Sequence, residues 1–105
     1  MLYNPKWNEH VAKIRKPKLA GWRRVLWEAA DLIETNGWMQ HEDHTKEGWY
    51  IVGAIHHVHA SINSTTFAEK QVSAALSAEF IEEWNDDPLR TKSSVVAKLR
   101  EVALS

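Results

Sequence analysis

Apolar residues recur at helical spacing along most of this chain, which is typical of amphipathic α-helices. The clearest pattern covers residues 19–36, where Val25, Leu26 and Ile33 lie on one broad apolar face. Gly37 follows directly, at a position where glycine commonly ends a helix in left-handed geometry. The pattern therefore predicts a long helix that buries one face.

Three more helices are predicted further along the chain. They cover residues 49–62, residues from a cap at Asn63 or Ser64 to about Trp84, and residues 92–103. A strand over residues 49–52 is disfavoured although those residues are good strand formers, because no second segment is suited to pair with it.

The N-terminal segment has its own short helical pattern. Trp7, Val11 and Ile14 share one stripe between two prolines. Helices joined by short connections predict an all-α protein, a compact bundle of four to five helices. We expect a single domain over residues 1–105, in which residues 1–18 form an N-terminal arm and residues 19–105 form the core.

Rare and specific residue types lie close together between the last two predicted helices. Pro88 lacks an N–H group and disfavours helical backbone at the residue before it, so a helix must end here. Thr91 suits the N-cap of the last helix. Arg90 is placed to bind a carboxylate of Asp86 or Asp87, or carbonyl groups at the end of the preceding helix.

Two interpretations of this stretch remain open. The simpler one is a well-specified turn between two helices, in which the short polar side chains bond to nearby backbone. The functional one is a polar recognition corner that consists of Asn85, Asp86 and Arg90 beside Trp84.

Residues 84–91, with the apolar pattern that follows them, resemble the C-terminal signature of a family of small helical domains of unknown function from actinobacteria and their phages. Residues 37–40 and 48–55 resemble two earlier segments of that family, and together the segments span roughly residues 20–103. Many family members carry a Cys in each of the two earlier segments. This chain has no Cys, so any role of those thiols is absent here. The resemblance implies a helical fold and no particular activity.

Charge and composition exclude several classes of protein. The formal net charge is -1, which gives no overall attraction to nucleic acid. The absence of Cys excludes disulfides and thiolate chemistry, and it fits a reducing compartment. No apolar run approaches the roughly 20 residues of a membrane span, and the polar N-terminus is unlike a signal peptide. We therefore expect a cytoplasmic protein.

Trp27 does not fit the apolar face of its predicted helix. The chain has six tryptophans, which is many for its length. Trp27 falls on the polar side, between Arg23 and Glu34. Either another segment such as the N-terminal arm covers it, or it is exposed for a partner.

Clustered histidines raise the question of a metal site. His56 and His59 are three residues apart on one predicted helix, so their rings would point to one place. His41 and His44 lie on a polar connection and would complete a zinc site. The spacing differs from the His-Glu-x-x-His pattern of metalloproteases, and solvent-exposed histidines are the simpler interpretation.

Recognisable reaction signatures are missing. The glycines are scattered rather than grouped in a phosphate-binding loop, and no nucleophile elbow occurs. The leading hypothesis is a small non-enzymatic protein-interaction module. In this hypothesis a phage encodes the protein and a host protein is its partner. The expected contact residues are Arg23, Trp27, Trp84, Asn85, Asp86 and Arg90.

Three alternatives stay open. One is a metal-binding protein or metal-dependent enzyme that uses the histidines, with zinc as cofactor. Another is a nucleic-acid binder that uses the basic run of residues 13–18 with Arg23 and Arg24. The third is a homodimer, since an exposed tryptophan is also typical of a subunit interface.

Overall fold

Five helices make up most of the part of the chain that the structure describes. The computed structural model describes residues 18–40, 48–77 and 81–105. The helices are α1 (Gly21–Asn36), α2 (Ile51–His57), α3 (Ile62–Leu76), α4 (Ile81–Asn85) and α5 (Lys92–Leu104). No strand occurs within these ranges, so the predicted all-α fold is confirmed. The N-terminal stripe of Trp7, Val11 and Ile14 lies outside the described residues.

Helix α1 lies at the centre of the fold and contacts α2, α3 and α5. Its buried face consists of Val25, Leu26, Ala29, Ala30 and Ile33, which agrees with the predicted apolar face. Helix α5 runs antiparallel to it: Arg23 donates to the Ser105 carbonyl (2.9 Å), and at the other end Lys92 donates to the Glu34 carbonyl (3.4 Å). Burial of these apolar faces holds the two helices together.

The predicted helix over residues 49–62 is shorter than expected. Helix α2 ends at His57, because the backbone of Val58 is extended (φ -64°, ψ 129°). Ser61 caps α3 by accepting the Ser64 N–H (3.2 Å), instead of the predicted caps Asn63 or Ser64. The prediction was wrong because the apolar spacing continues to Ile62, which is in fact 80% exposed.

The predicted helix that ends at Trp84 is divided in two. Helix α3 ends at Leu76, and Ser77 adopts left-handed backbone (φ 51°, ψ 38°). Helix α4 begins at Ile81. Phe80, which belongs to the predicted apolar repeat, lies outside the described residues. A regular apolar repeat does not reveal such a break. Residues other than glycine seldom adopt positive φ, so a serine in the sequence gives no sign that the helix ends there.

Two glycines allow the segments before and after residues 41–47 to lie side by side. Gly37 has φ 100° and ψ 162°, a conformation almost restricted to glycine. A Cβ on Gly48 would lie 3.2 Å from the carbonyl carbon of Gly37, so this approach also needs glycine. One parallel bridge joins Trp38 and Trp49. Its bonds run from the Trp49 N–H to the Gly37 carbonyl (2.9 Å) and from the Met39 N–H to the Trp49 carbonyl (3.1 Å).

Within the described ranges, no helix is both long and apolar enough to cross a membrane.

Candidate interaction corner

Asn85 lies at the base of the segment from Trp84 to Thr91, which we call the corner. Its side chain is completely buried. The Oδ1 atom accepts hydrogen bonds from the indole N–H of Trp38 (2.8 Å) and the backbone N–H of Ile51 (3.2 Å). The Nδ2 group donates to the Met39 carbonyl (3.1 Å) and to Oδ1 of Asp86 (3.1 Å). Four bonds use the full capacity of an amide side chain.

These bonds connect α4 to two distant segments. The first N–H groups of a helix have no partner within the helix, and Tyr50, the N-cap residue of α2, makes no capping bond with its side chain. Asn85 supplies that bond to Ile51 from α4. The turn interpretation expected its side chain to bond to nearby backbone, and this is wrong for Asn85: three partners lie in distant segments, and the fourth is the side chain of Asp86. Asn85 therefore fastens the start of α2 and the segment after α1 to the end of α4.

Gln40 adds a second attachment between the same elements. Its Nε2 group donates to the carbonyls of Asn85 (3.1 Å) and Asp87 (2.8 Å). The Asn85 carbonyl ends α4 and lacks a partner within the helix, so the first bond satisfies a group that would otherwise need water. The second bond adds to the one that the Asp87 carbonyl accepts from the Arg90 N–H. Gln40 thereby fixes the backbone on both sides of Asp86.

Arg90 holds the corner against the indole of Trp84. The guanidinium carbon lies 3.5 Å from the centre of the Trp84 ring, which is a cation–π contact. Arg90 Nε donates to the Trp84 carbonyl (3.0 Å), and a terminal nitrogen lies 3.7 Å from a carboxylate oxygen of Asp87. The expected partners of Arg90, a helix-terminal carbonyl and an aspartate, are thus both present.

The tip of the corner is a tight turn that exposes a leucine. Asp87 Oδ1 accepts the N–H of Leu89 (2.9 Å), and the Asp87 carbonyl accepts the N–H of Arg90 (2.9 Å). Thr91 then caps α5 in a reciprocal capping box with Ser94. Leu89 is 90% exposed. The corner thus presents one apolar side chain on a backbone fixed by several hydrogen bonds.

The six expected contact residues do not form one surface. Trp84, Asp86 and Arg90 are half-buried around the corner, whereas Asn85 is interior and offers no atom to a partner in this conformation. Arg23 lies in the first turn of α1, with its guanidinium 4.4 Å from the centre of the Trp22 ring. The corner instead contacts the segment that follows the last turn of α1.

Trp27 is partly buried and packs against the core. The guanidinium of Arg100, on α5, lies 5.1 Å from the centre of its ring. The same guanidinium pairs with Asp31 (2.9 Å) and Glu34 (2.6 Å) on α1. Helix α5 therefore provides cover for an aromatic residue on the polar side of α1, and a partner contact at Trp27 stays a prediction.

The histidines are arranged differently from the expected metal site. His59 lies beyond the end of α2, so the expectation that His56 and His59 share a helical face is wrong. Nε2 of His56 contacts a carboxylate oxygen of Glu69, and the backbone carbonyl of His59 accepts a bond from Arg24 (2.9 Å). His41 and His44 lie outside the described residues. Across residues 18–40, 48–77 and 81–105, no three His, Cys, Asp or Glu side chains form a group suited to a metal ion. A zinc site stays a prediction.

The basic residues proposed for nucleic acid also have local partners. Arg24 pairs with Glu28 one turn later on α1 and donates to the connection after α2. Arg23 donates to the last residue of the chain. Most of the basic run of residues 13–18 lies outside the described ranges, so a nucleic-acid surface stays a prediction.

The fold and the corner define a small all-α domain in which a buried asparagine joins the end of α4 to the start of α2 and to the segment after α1. The chain belongs to a family of unknown function, DUF6197, whose model matches residues 21–104. No curated protein and no solved structure matches the chain. The predicted membership of a helical family of unknown function is confirmed, whereas the actinobacterial and phage setting stays a prediction. The family match begins at α1, so residues 1–20 precede it.

Leu89 is the residue that the sequence analysis missed. Its neighbours were identified as a turn, and a leucine next to proline in a polar turn is the signal that could have identified an exposed apolar side chain. Trp38 and Gln40, which fix the corner from the other side, gave no local sign of that role.

Proposed function

We propose that this chain is a small non-enzymatic protein-interaction module and that the corner is its contact surface. The observation that carries this proposal is Leu89, which is 90% exposed at the tip of a turn whose backbone is held on both sides. An exposed leucine alone is common on protein surfaces. An exposed leucine on a backbone held by Asn85, Gln40 and Arg90 is a more specific feature.

A fixed contact loop binds a partner at lower cost than a loop that must first become ordered. Association loses conformational freedom, and preorganised segments have less to lose. The Gln40 bonds and the Arg90–Trp84 contact hold the corner before any partner arrives. Binding energy at interfaces is concentrated in a few anchors, among which Trp and Arg are enriched. Leu89 would enter a partner's pocket, and the Trp84–Arg90 pair would line its rim.

The charged groups of the corner favour specificity over affinity. The side chain of Asp87 is 44% exposed and that of Arg90 is 24% exposed, so both would lie at the edge of an interface. Charges at an interface rim mainly affect association rate and partner choice. The sequence resemblance to proteins of actinobacteria and their phages suggests a host protein of an actinobacterium as the partner.

The test compares tagged wild-type protein with Leu89→Asp in pull-downs from actinobacterial lysate, read by mass spectrometry. Ile62→Asp is the matched control, because Ile62 is 80% exposed on another part of the surface and receives the same substitution. We expect one protein to be enriched by wild type and by Ile62→Asp and to be lost with Leu89→Asp. Circular dichroism of all three proteins checks that they stay folded.

Three results would count against the proposal. Equal capture of the partner by Leu89→Asp would remove the corner from the interface. If capture were instead lost with a folded Trp27→Ala variant, the contact surface would lie along α1. Absence of any protein enriched by wild type would remove the support for an interaction module in this host.

A further inference from the structure

Asn36 and Gly37 form the one asparagine–glycine pair in the chain. They lie where α1 ends, and Asn36 is exposed. The side-chain amide carbon of an asparagine is open to attack by the backbone nitrogen of the next residue. A glycine at that next position has no Cβ to hinder the approach. The pair therefore places an electrophile and a nucleophile in two adjacent residues.

The reaction open to this pair converts an amide into an acid. The backbone nitrogen of Gly37 forms a bond to Cγ of Asn36, the bond from Cγ to Nδ2 breaks, and the proton from the Gly37 nitrogen leaves with Nδ2 as ammonia. Water then opens the resulting succinimide ring at either of its carbonyl carbons. One opening gives aspartate, and the other gives isoaspartate, in which the main chain runs through the side-chain carbon atoms. Water is the only other reactant.

The last turn of α1 holds the attacking nitrogen in place. The Gly37 N–H donates to the Ile33 carbonyl (2.9 Å), which closes this turn. The bond keeps the proton on the nitrogen, and the helical backbone of Asn36 directs that nitrogen toward Ile33 instead of toward the Asn36 side chain. Ring closure therefore requires the last turn of α1 to open.

Two attachments after Asn36 keep this turn closed. The Gly37 carbonyl accepts the N–H of Trp49 (2.9 Å), and the indole N–H of Trp38 donates to Oδ1 of Asn85 (2.8 Å). Trp38 also packs against the core. Movement of Gly37 away from Ile33 strains both attachments. The open turn is therefore a rarely populated local state of the folded protein.

We propose that Asn36 is a site of spontaneous deamidation and that the bond between Trp38 and Asn85 keeps the reaction slow in the folded protein. Isoaspartate at position 36 adds a carbon atom to the main chain directly before Gly37, whose backbone (φ 100°, ψ 162°) sets the path toward Trp38. The added atom shifts Trp38 relative to Asn85. The inference does not depend on the proposed function, because it concerns the covalent chain and not a partner.

The test follows Asn36 in the full chain by peptide mapping with mass spectrometry during incubation at mildly alkaline pH. Folded protein is compared with protein unfolded in urea. In urea we expect Asn36 to be converted to isoaspartate and aspartate much faster than Asn63, which serine follows. In folded protein we expect the conversion of Asn36 to be slower by about tenfold or more, because only the locally open fraction reacts.

Two variants separate the chemistry from the restraint. Gly37→Ala should slow the reaction in urea, because its Cβ hinders the attack, and this comparison needs no folded protein. Trp38→Phe should accelerate the reaction about fivefold in folded protein and leave the rate in urea unchanged, because it removes the bond to Asn85. Trp22→Phe is the matched control, since Trp22 also packs against the core but lies at the other end of α1. Circular dichroism checks that both Trp variants stay folded.

The product of the reaction tests its effect on the fold. Protein with isoaspartate at position 36 is separated by chromatography after incubation in urea and is then refolded. We expect it to melt at a lower temperature than the Asn36→Asp variant, which has the same charge and an ordinary main chain. Equal melting temperatures would show that the longer main chain does not disturb the contact between Trp38 and Asn85.

Three other results would overturn the inference. Equal rates at Asn36 and Asn63 in urea would show that the asparagine–glycine pair has no special reactivity. Equal rates at Asn36 in folded and unfolded protein would show that the fold does not restrain Gly37. A rate in folded Trp38→Phe equal to that of wild type would show that the bond to Asn85 does not keep the turn closed.

Discussion

The corner and the contact between α1 and α5 hold the same fold together by different means. At the corner, one fully buried asparagine makes four hydrogen bonds to four residues. Between α1 and α5, many apolar side chains share the burial, and Arg100 forms ion pairs at the edge. A polar junction of the first kind concentrates its stability in single residues, because each lost bond leaves a buried group without a partner. In an apolar contact such as that between α1 and α5, many side chains share the stabilisation, so no single residue provides most of it.

The largest expected effect is at Asn85. Asn85→Ala removes the partner of the Trp38 indole N–H and of the Ile51 N–H at the start of α2. Each unsatisfied buried group costs roughly 1–3 kcal/mol, so we expect the free energy of unfolding to fall by about 3 kcal/mol. Urea unfolding followed by circular dichroism measures this. Asn63→Ala, at an exposed position of α3, is the control and should change stability by less than about 0.5 kcal/mol. A loss under about 1 kcal/mol for Asn85→Ala would contradict the claim that the hydrogen bonds of Asn85 stabilise the fold.

A smaller effect is expected where the backbone approaches the junction. Gly37→Ala places a Cβ on a residue with φ 100° and ψ 162°, which costs about 2 kcal/mol. The same unfolding experiment checks it, with the exposed neighbour Asn36→Ala as control. If Gly37→Ala were as stable as its control, the conformation of this connection would differ from the one described.

The distributed contact should respond less to a single change. Arg100→Met removes ion pairs to Asp31 and Glu34 and the cation–π contact over Trp27, while it keeps an unbranched chain of similar length. We expect a loss of about 1 kcal/mol that shrinks in high salt, because these side chains are partly exposed and salt screens them. Lys98→Met, which removes only a pair with Glu101, is the control and should be nearly neutral. A loss of stability as large as that of Asn85→Ala would contradict the claim that many residues share the stabilisation between α1 and α5.

The smallest effect on stability is expected at the tip of the corner. Leu89 is 90% exposed, so Leu89→Asp should change the melting temperature little and the free energy of unfolding by less than about 0.5 kcal/mol. Thermal unfolding measures this. A clear destabilisation would mean that Leu89 serves the fold rather than a partner.

The two regions also differ in what their sequence predicts. The apolar faces of α1 and α5 follow directly from residue spacing, because burial of one helical face requires that spacing. The corner was recognised as a turn, and Thr91 was recognised as a cap, since both depend on local chemistry. The partners of Asn85 could not be predicted, because Trp38 and Ile51 lie far away in the chain and a hydrogen bond leaves no periodic pattern. The left-handed Ser77 and the break before Ile62 were missed for another reason, because the apolar spacing continues across both breaks.

A double-mutant cycle between Trp38 and Asn85 tests most directly whether the buried Asn85 stabilises the corner through its bond to Trp38. Trp38→Phe removes the indole N–H that donates to Asn85 Oδ1 at 2.8 Å, and Asn85→Ala removes its acceptor. Urea unfolding of wild type, both single variants and the double variant gives the coupling free energy. We predict a coupling of about 1 kcal/mol, because the two residues act through one buried bond. Effects that add within about 0.3 kcal/mol would show that Asn85 does not stabilise the corner through Trp38.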